Sequence, residues 1–419
     1  MITLPRLPEI HMGKLSNGMK YVFVPDKGSG LIYAKMLGYA GSILENDPRV
    51  YGIAHCLEHV ACKGTKSFPD KDALTNEFDV IGAYRNASTG FTQKNYWIKT
   101  NNTKTREAIR YVSECVLFPI LDQSVIVEEK NIVQSELRDY LSKANEREHV
   151  NFRKAAYNDP RTEVHIIGLN DSIENITRQD LVNFHNQFYS LSNFVIGVTG
   201  DISHEEVLSV LEDEMGNVPC DNPPTEKIWI RSTGKGRTVV ADSSIKNSSI
   251  EIHWGIEEQD FLKNYPKLKV ATFLFGSMRR SRLHRTLREK MAMVYGVHMS
   301  TSGHSGFSSD MSISTSTEKK NVDLVIEATL GCVKNFLKEG PTDIELEQVF
   351  NQLLFGIKNF ILDKESVLSN VMSEVLYNSN FILFEDELRK GLVVKKDEMM
   401  EAFSLVAIND PFIFITNPE

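Results

Sequence analysis

The sequence predicts an α+β protein of two similar domains. A chain of 419 residues is too long for one ordinary core and comfortable for two of about 200 residues each. The stretch 217–228, NVPCDNPPTEKI, is polar, rich in proline and breaks every periodicity, as a boundary between domains does. Strand and helix signals recur in the same outline on both sides of it, which points to a duplicated unit. The expected domains are residues 1–216 and 229–419, with 217–228 as the linker.

In the first half, the Asn17-Gly18 turn precedes a strand at 20–24 (KYVFV), and a second apolar run follows at 31–37. After the Asp47-Pro48 break comes a helical stretch that ends near Gly64-Thr65. A further helix is expected at 71–81 and a strand at 96–99. Helical periodicity marks 105–117 and 124–145, and a shorter helix 180–189. The strand 194–199 leads into the Gly200-Asp201 turn. In the second half, strands near 238–240 and 249–254 precede helices around 265–274 and 282–290. Alternating segments at 296–302 and 309–315 then lead to long helices at 321–338 and 343–362.

Composition narrows the function. Hydrophobic residues at 41% and charged ones at 25% exclude a disordered, collagenous or coiled-coil chain. Apolar runs such as 111–121 break off well before the roughly 18–20 residues a bilayer span needs. No basic region followed by an apolar stretch opens the sequence, so no secretory signal is expected and the predicted location is cytoplasmic. Five cysteines without CxxC spacing read as reduced thiols rather than a disulfide framework. A net charge of −9 argues against nucleic acid or anionic membrane as the partner. The basic run Arg279, Arg280, Arg282, Arg285, Arg288 and Lys290 lacks aromatic interleaving and reads as a solvated helical face. His298 and His304 read as ordinary strand or loop histidines.

The chemistry concentrates in 52–65, GIAHCLEHVACKGT. His55 and His59 are four apart and share one helix face, with Glu58 beside them. Two imidazoles at that spacing suit a tetrahedral zinc, and the neighbouring carboxylate can take a proton from an attacking water. The HxxEH order is the inverse of HExxH. The helix is apolar nearly all round through Ile53, Ala54, Cys56, Leu57, Val60, Ala61 and Cys62, so it is expected to be buried. Two histidines and a carboxylate there need compensation, which a metal supplies. Cys56 and Cys62 read as small packing residues. A third ligand is offered by the helix at 124–145. Ile126, Val133, Leu137, Tyr140 and Leu141 form its apolar arc, and Glu129 and Glu136 lie inside that arc one heptad apart. Either glutamate is a candidate, because a core-facing carboxylate is uncommon unless paired or metal-bound.

GIAHCLEHVACKGT followed by this distant glutamate pair resembles the pitrilysin/insulinase family of zinc metallopeptidases, in the short form of the mitochondrial processing peptidases and their bacterial relatives. The resemblance covers most of the chain, through GAYRNASTG (82–90), IIGLNDSI (166–173), FYSLSNFVIGVTGD (188–201) and SRLHRTLREKMAMVY (281–295). It implies two domains, each a mixed β-sheet with helices packed on one face. It implies one zinc per chain held by His55, His59 and Glu136, with Glu58 as general base and Glu129 supporting the site. GAYRNASTG is then an edge strand that holds an extended substrate, with Asn86 and Ala87 at its centre. Arg288 and Tyr295 reach over from the second half to the substrate.

The implied activity is endopeptidase cleavage of peptides or unfolded segments, in a chamber completed by a second copy or a related chain. The alternative is a non-catalytic scaffold or partner subunit of a two-chain processing peptidase. Such a subunit has no reason to keep His55, Glu58, His59 and Glu136 together. Three positions depart from the family pattern and bear on substrate preference. The run 275–280 lacks the usual glycines, Ala292 stands where glycine is usual, and Thr92 where an acid is common.

Overall fold

The computed structural model describes residues 6, 8–220, 222–303, 308–377 and 390–419, so His304 lies outside the described residues. The first sheet comprises β1 (His11–Lys14), β2 (Lys20–Pro25), β3 (Leu31–Tyr39), β4 (Tyr84–Thr89), β5 (Gln93–Asn101) and β6 (Phe194–Gly200). Its order is β1-β2-β6-β3-β5-β4, with β2 and β6 parallel and the other neighbours antiparallel. The second sheet comprises β7 (Arg237–Ala241), β8 (Ser248–Ile256), β9 (Val297–Ser302), β10 (Ser309–Thr317) and β11 (Phe412–Asn417). Its order is β7-β11-β8-β10-β9, with β7 and β11 parallel. Removing β1 from the first sheet makes the two orders identical in connectivity, down to the position of the parallel pair. The two halves are the same α+β unit used twice.

The helices of the first half are α1 (Ile53–Ala61), α2 (Lys71–Val80), α3 (Thr105–Leu117), α4 (Gln123–Ser142), α5 (Ala144–Ala156), α6 (Asn170–Asn175), α7 (Arg178–Phe188) and α8 (His204–Met215). Those of the second half are α9 (Glu258–Thr272), α10 (Val322–Glu339), α11 (Asp343–Phe360), α12 (Lys364–Tyr377) and α13 (Lys396–Ala407). No helix among the described residues is long and apolar enough to cross a membrane.

Strand register decides which side chains meet these helices. Tyr21, Met36, Tyr96 and Ile196 share one face of the first sheet, and α3 and α8 pack there. The opposite face is closed by α12, a helix of the second half. Lys35 reaches Ser369 at 3.1 Å and Lys99 reaches Glu365 at 2.6 Å. Gly197 lets this helix approach, since a β-carbon there would lie 2.1 Å from the Met372 sulfur. Behind the second sheet, Phe275, Phe336 and Phe403 form a buried aromatic trio with centroids 4.9–5.6 Å apart.

Two predicted helices differ in form. The one expected at 124–145 ends at Ser142, because Lys143 is extended (φ −86°, ψ 129°) and α5 starts afresh at Ala144. The one at 282–290 winds as wide π-type turns over His284–Lys290. It stops there, and Ala292 takes a left-handed conformation (φ 52°). A glycine adopts that conformation without penalty, whereas alanine is strained in it. Arg282 and Arg285 of the basic run are tied to Glu345 at 2.9 and 2.6 Å.

Candidate metal centre

The site begins with how α1 is started. Gly52 has φ 95°, and a β-carbon on it would lie 2.1 Å from the Ile167 carbonyl oxygen, so only glycine fits. The first amides of a helix lack internal partners. Here the buried Glu45 carboxylate accepts from Gly52 N at 2.8 Å and Ala54 N at 2.9 Å. Burial pushes its pKa up to about 7 against those two bonds. From this start, one turn separates His55 from His59, and their ring centroids lie 4.7 Å apart.

Helix α4 packs against α1 and brings both glutamates to the histidines. Glu136 Oε2 lies 3.3 Å from His59 Nε2 and 3.8 Å from His55 Nε2. Ligand atoms of His55, His59 and Glu136 all lie within 4.8 Å of one another, and this is the sole such group found among the described residues. Glu129 points the same way and does something different. It is almost fully buried and accepts the His59 Nδ1 proton at 3.0 Å, while its other oxygen is 3.2 Å from Lys63 Nζ. Because an ionised carboxylate only accepts, this bond places the proton on Nδ1 and aims Nε2 at Glu136.

The electrostatics follow from that crowding. His55 is held down to about 3 by burial and by the neighbouring His59 charge. Burial also opposes charge on His59, but the bonds to Glu129 and Glu136 outweigh it and push the pKa up to about 9. Glu136 is lowered, chiefly by its bond from His59. Two imidazoles and a carboxylate thus converge on one point. Tetrahedral zinc with bonds of about 2.0–2.1 Å sets its ligand atoms about 3.3 Å apart. The Glu136 separations of 3.3 and 3.8 Å approach that spacing, and the three donor atoms lie within 4.8 Å of one another. Cys56 is not a competing ligand: it is fully buried, and burial pushes its thiol up to about 12.

Glu58 is held apart from the triad. Its Oε2 accepts from the Thr89 hydroxyl and lies 3.6 Å from Lys94 Nζ. Lys94 is completely buried and donates to the Ala54 carbonyl at 2.7 Å. Thr89 and Lys94 are site residues that the sequence reading passed over. Tyr96 and Ile98 alternate on the apolar face of β5, and extending that alternation back one step would have found a lysine pointing inward.

The other predicted residues fall into two groups. Asn86 and Ala87 lie on β4, which among the described residues pairs only with β5 and forms an edge of the sheet. The Asn86 side-chain oxygen accepts from the Ala87 amide at 2.9 Å. Arg288 and Tyr295 meet each other, with the guanidinium 5.1 Å from the ring centroid. It is the turn after Lys290 that brings them together, not a continued helix face. Arg288 also lies 3.2 Å from His284 Nε2, and Tyr295 is 86% exposed. Among the described residues, no hydrogen bond or ion pair joins either to the triad or to Glu58.

Known proteins carry the same arrangement of sequence and fold. The family model for insulinase (peptidase family M16) matches residues 35–169, and that for the peptidase M16 inactive domain matches 175–353. An uncharacterised zinc protease of Rickettsia felis is 23% identical over 405 residues, covering 96% of this chain and 92% of its own. The human mitochondrial-processing peptidase subunit beta is 28% identical over 214 residues, 51% of this chain and 43% of that one. Among solved structures, a peptidase M16 inactive domain from Pseudomonas fluorescens superposes with a TM-score of 0.84 at 18% identity, covering 97% of both chains. Pitrilysin superposes with a TM-score of 0.82 at 18% identity, over 98% of this chain and 45% of pitrilysin. With both halves matched by models of one family and the fold shared along almost its whole length, this chain belongs to the insulinase family, peptidase family M16.

Proposed function

We propose that this chain is a zinc-dependent endopeptidase that cleaves peptides and unfolded protein segments. The observation that carries the reading is the convergence of His55, His59 and Glu136 on one point, with Glu58 on the same helix and outside the ligand set. Three protein donors are the number found in catalytic rather than structural zinc sites. When bound, zinc supplies a Lewis acid and makes a water nucleophile available near neutral pH. Glu58 takes the proton from the attacking water and hands it to the leaving amine. Glu129 keeps His59 in the tautomer and orientation a ligand needs.

The free edge of β4 offers main-chain donors and acceptors to an extended peptide, with Asn86 and Ala87 as the central contacts. Binding of that kind reads backbone more than side chains, so cleavage is broad in sequence but requires an extended segment. Zinc-loaded protein should digest a permanently unfolded polypeptide while leaving a tightly folded domain of similar composition intact. Equal digestion of both would contradict strand-wise binding.

This chain aligns with 45% of pitrilysin, which leaves room there for a second half of the same size. We assign completion of the substrate chamber to a second copy or a related chain, forming a homodimer or heterodimer around the substrate. Arg288 and Tyr295 are assigned to the substrate carbonyl, as hydrogen-bond donors that strengthen in the transition state. Donors of this type are worth about 10²–10³-fold in rate. Tyr295→Phe removes only an exposed hydroxyl, so kcat should fall by about that factor with zinc content and melting temperature unchanged. An unchanged kcat on all peptides would restrict the second domain to enclosing the site.

A further inference from the structure

We infer that Lys94 is a positioning residue for Glu58, orienting the base through the hydroxyl of Thr89. The inference rests on the reading of Glu58 as the proton carrier in peptide cleavage. Its basis is that an ammonium is buried where packing alone has no use for one. Lys94 is 0% exposed and shares its strand face with Tyr96 and Ile98, both buried. Taking an ammonium out of water costs several kcal/mol unless it is paired and hydrogen-bonded. Its partners all belong to the site. Nζ donates to the Ala54 carbonyl at 2.7 Å and to the Thr89 hydroxyl, and lies 3.6 Å from Glu58 Oε2. Thr89 in turn bonds to Glu58 Oε2.

The direction of this relay is forced. An ammonium has donors only and a hydroxyl has one proton. The Thr89 oxygen therefore accepts from Lys94 and spends its proton on Glu58. A threonine polarised by a cation is a stronger donor than one in a neutral setting, so the carboxylate is held at a defined orientation. Burial pulls the Lys94 ammonium down to about 8 against the attraction of Glu58 and Glu45, which leaves it charged near neutral pH. Thr89 is also the last residue of β4. The same hydroxyl thus links the proposed substrate strand to the base.

A purely structural lysine is the competing account, because Lys94 also holds the Ala54 carbonyl in the first turn of α1. Kinetics of the zinc-loaded Lys94→Met, Thr89→Val and Thr89→Ser variants and the Lys94→Met/Thr89→Val double separate the two. Residues supporting a metal site from outside its ligand shell typically contribute about 10–100-fold in activity. Lys94→Met and Thr89→Val should each lower kcat by that factor with KM and zinc content held, and the double should be no slower than the slower single. Thr89→Ser, which keeps the hydroxyl, should recover most of kcat. Should Lys94→Met fail to fold, the threonine pair still decides the matter. Wild-type kcat in Thr89→Val, a Thr89→Ser as slow as Thr89→Val, or losses that multiply in the double would each overturn the inference while leaving Glu58 as the base. A zinc-loaded wild type that cleaves no peptide would sink both readings together.

Discussion

Glu58→Gln is expected to abolish measurable peptide cleavage while leaving the zinc content at one per chain. Glutamine has the shape of glutamate and still accepts from the Thr89 hydroxyl, so the packing around Oε2 is conserved. What it lacks is a basic oxygen able to take and return a proton. Positioned general acid–base groups contribute about 10²–10⁴-fold, and a single group serving both the attacking water and the leaving amine is expected at the upper end. The zinc should stay because Glu58 is not among the converging donors. Steady-state cleavage of a quenched fluorescent peptide and elemental analysis of the same sample check both halves. Full activity would remove Glu58 from the proton transfer, and lost zinc would make it part of the ligand set.

Glu136→Gln should instead deplete the metal. Its side chain is about one-third exposed and its ion pairs among the described residues are with the two histidines, so folding should be little affected. The amide oxygen carries no charge, which weakens the bond to a divalent cation and removes the counter-charge that balances the histidine pair. Glu129→Gln is the informative comparison. It keeps a neutral amide oxygen but loses the charged, acceptor-only group that fixes the His59 tautomer, a change worth up to about 10–100-fold in metal affinity. Zinc affinity, measured by competition with a chromogenic chelator, should fall further for Glu136→Gln than for Glu129→Gln. The reverse order would exchange the roles of the two glutamates.

That exchange is a real alternative from sequence, and it shows where local patterns stop. Periodicity placed both glutamates on the inner arc of one helix, and the geometry agrees: Glu129 and Glu136 both reach His59. Periodicity has no means of saying which one meets Nδ1 and which meets Nε2. The motif helix was legible because histidines on an otherwise apolar surface are conspicuous, and its buried start and finish follow from that surface. Lys94 went unread because the expected strand began at Tyr96, two residues too late to bring an inward lysine into the pattern. The break at Lys143 carries no glycine or proline, so nothing local announces it. Helix α12 on the far side of the first sheet is a long-range choice that depends on Gly197 and Met372 meeting, and no window of neighbouring residues contains both. Ala292 stood out only as an alanine where glycine is usual, and its left-handed backbone (φ 52°) gives that glycine preference its physical reason.

Under the proposed function, cleavage belongs to one zinc held by this chain's own residues. The direct measurement is peptide-cleavage rate against bound zinc, starting from chelator-stripped protein and adding metal in substoichiometric steps, with the bound metal counted at each step. No cleavage at zero zinc, a linear rise, and a plateau at one zinc per chain are expected. Cleavage by the metal-free protein, or a fully loaded protein that cleaves no unfolded peptide, would contradict it.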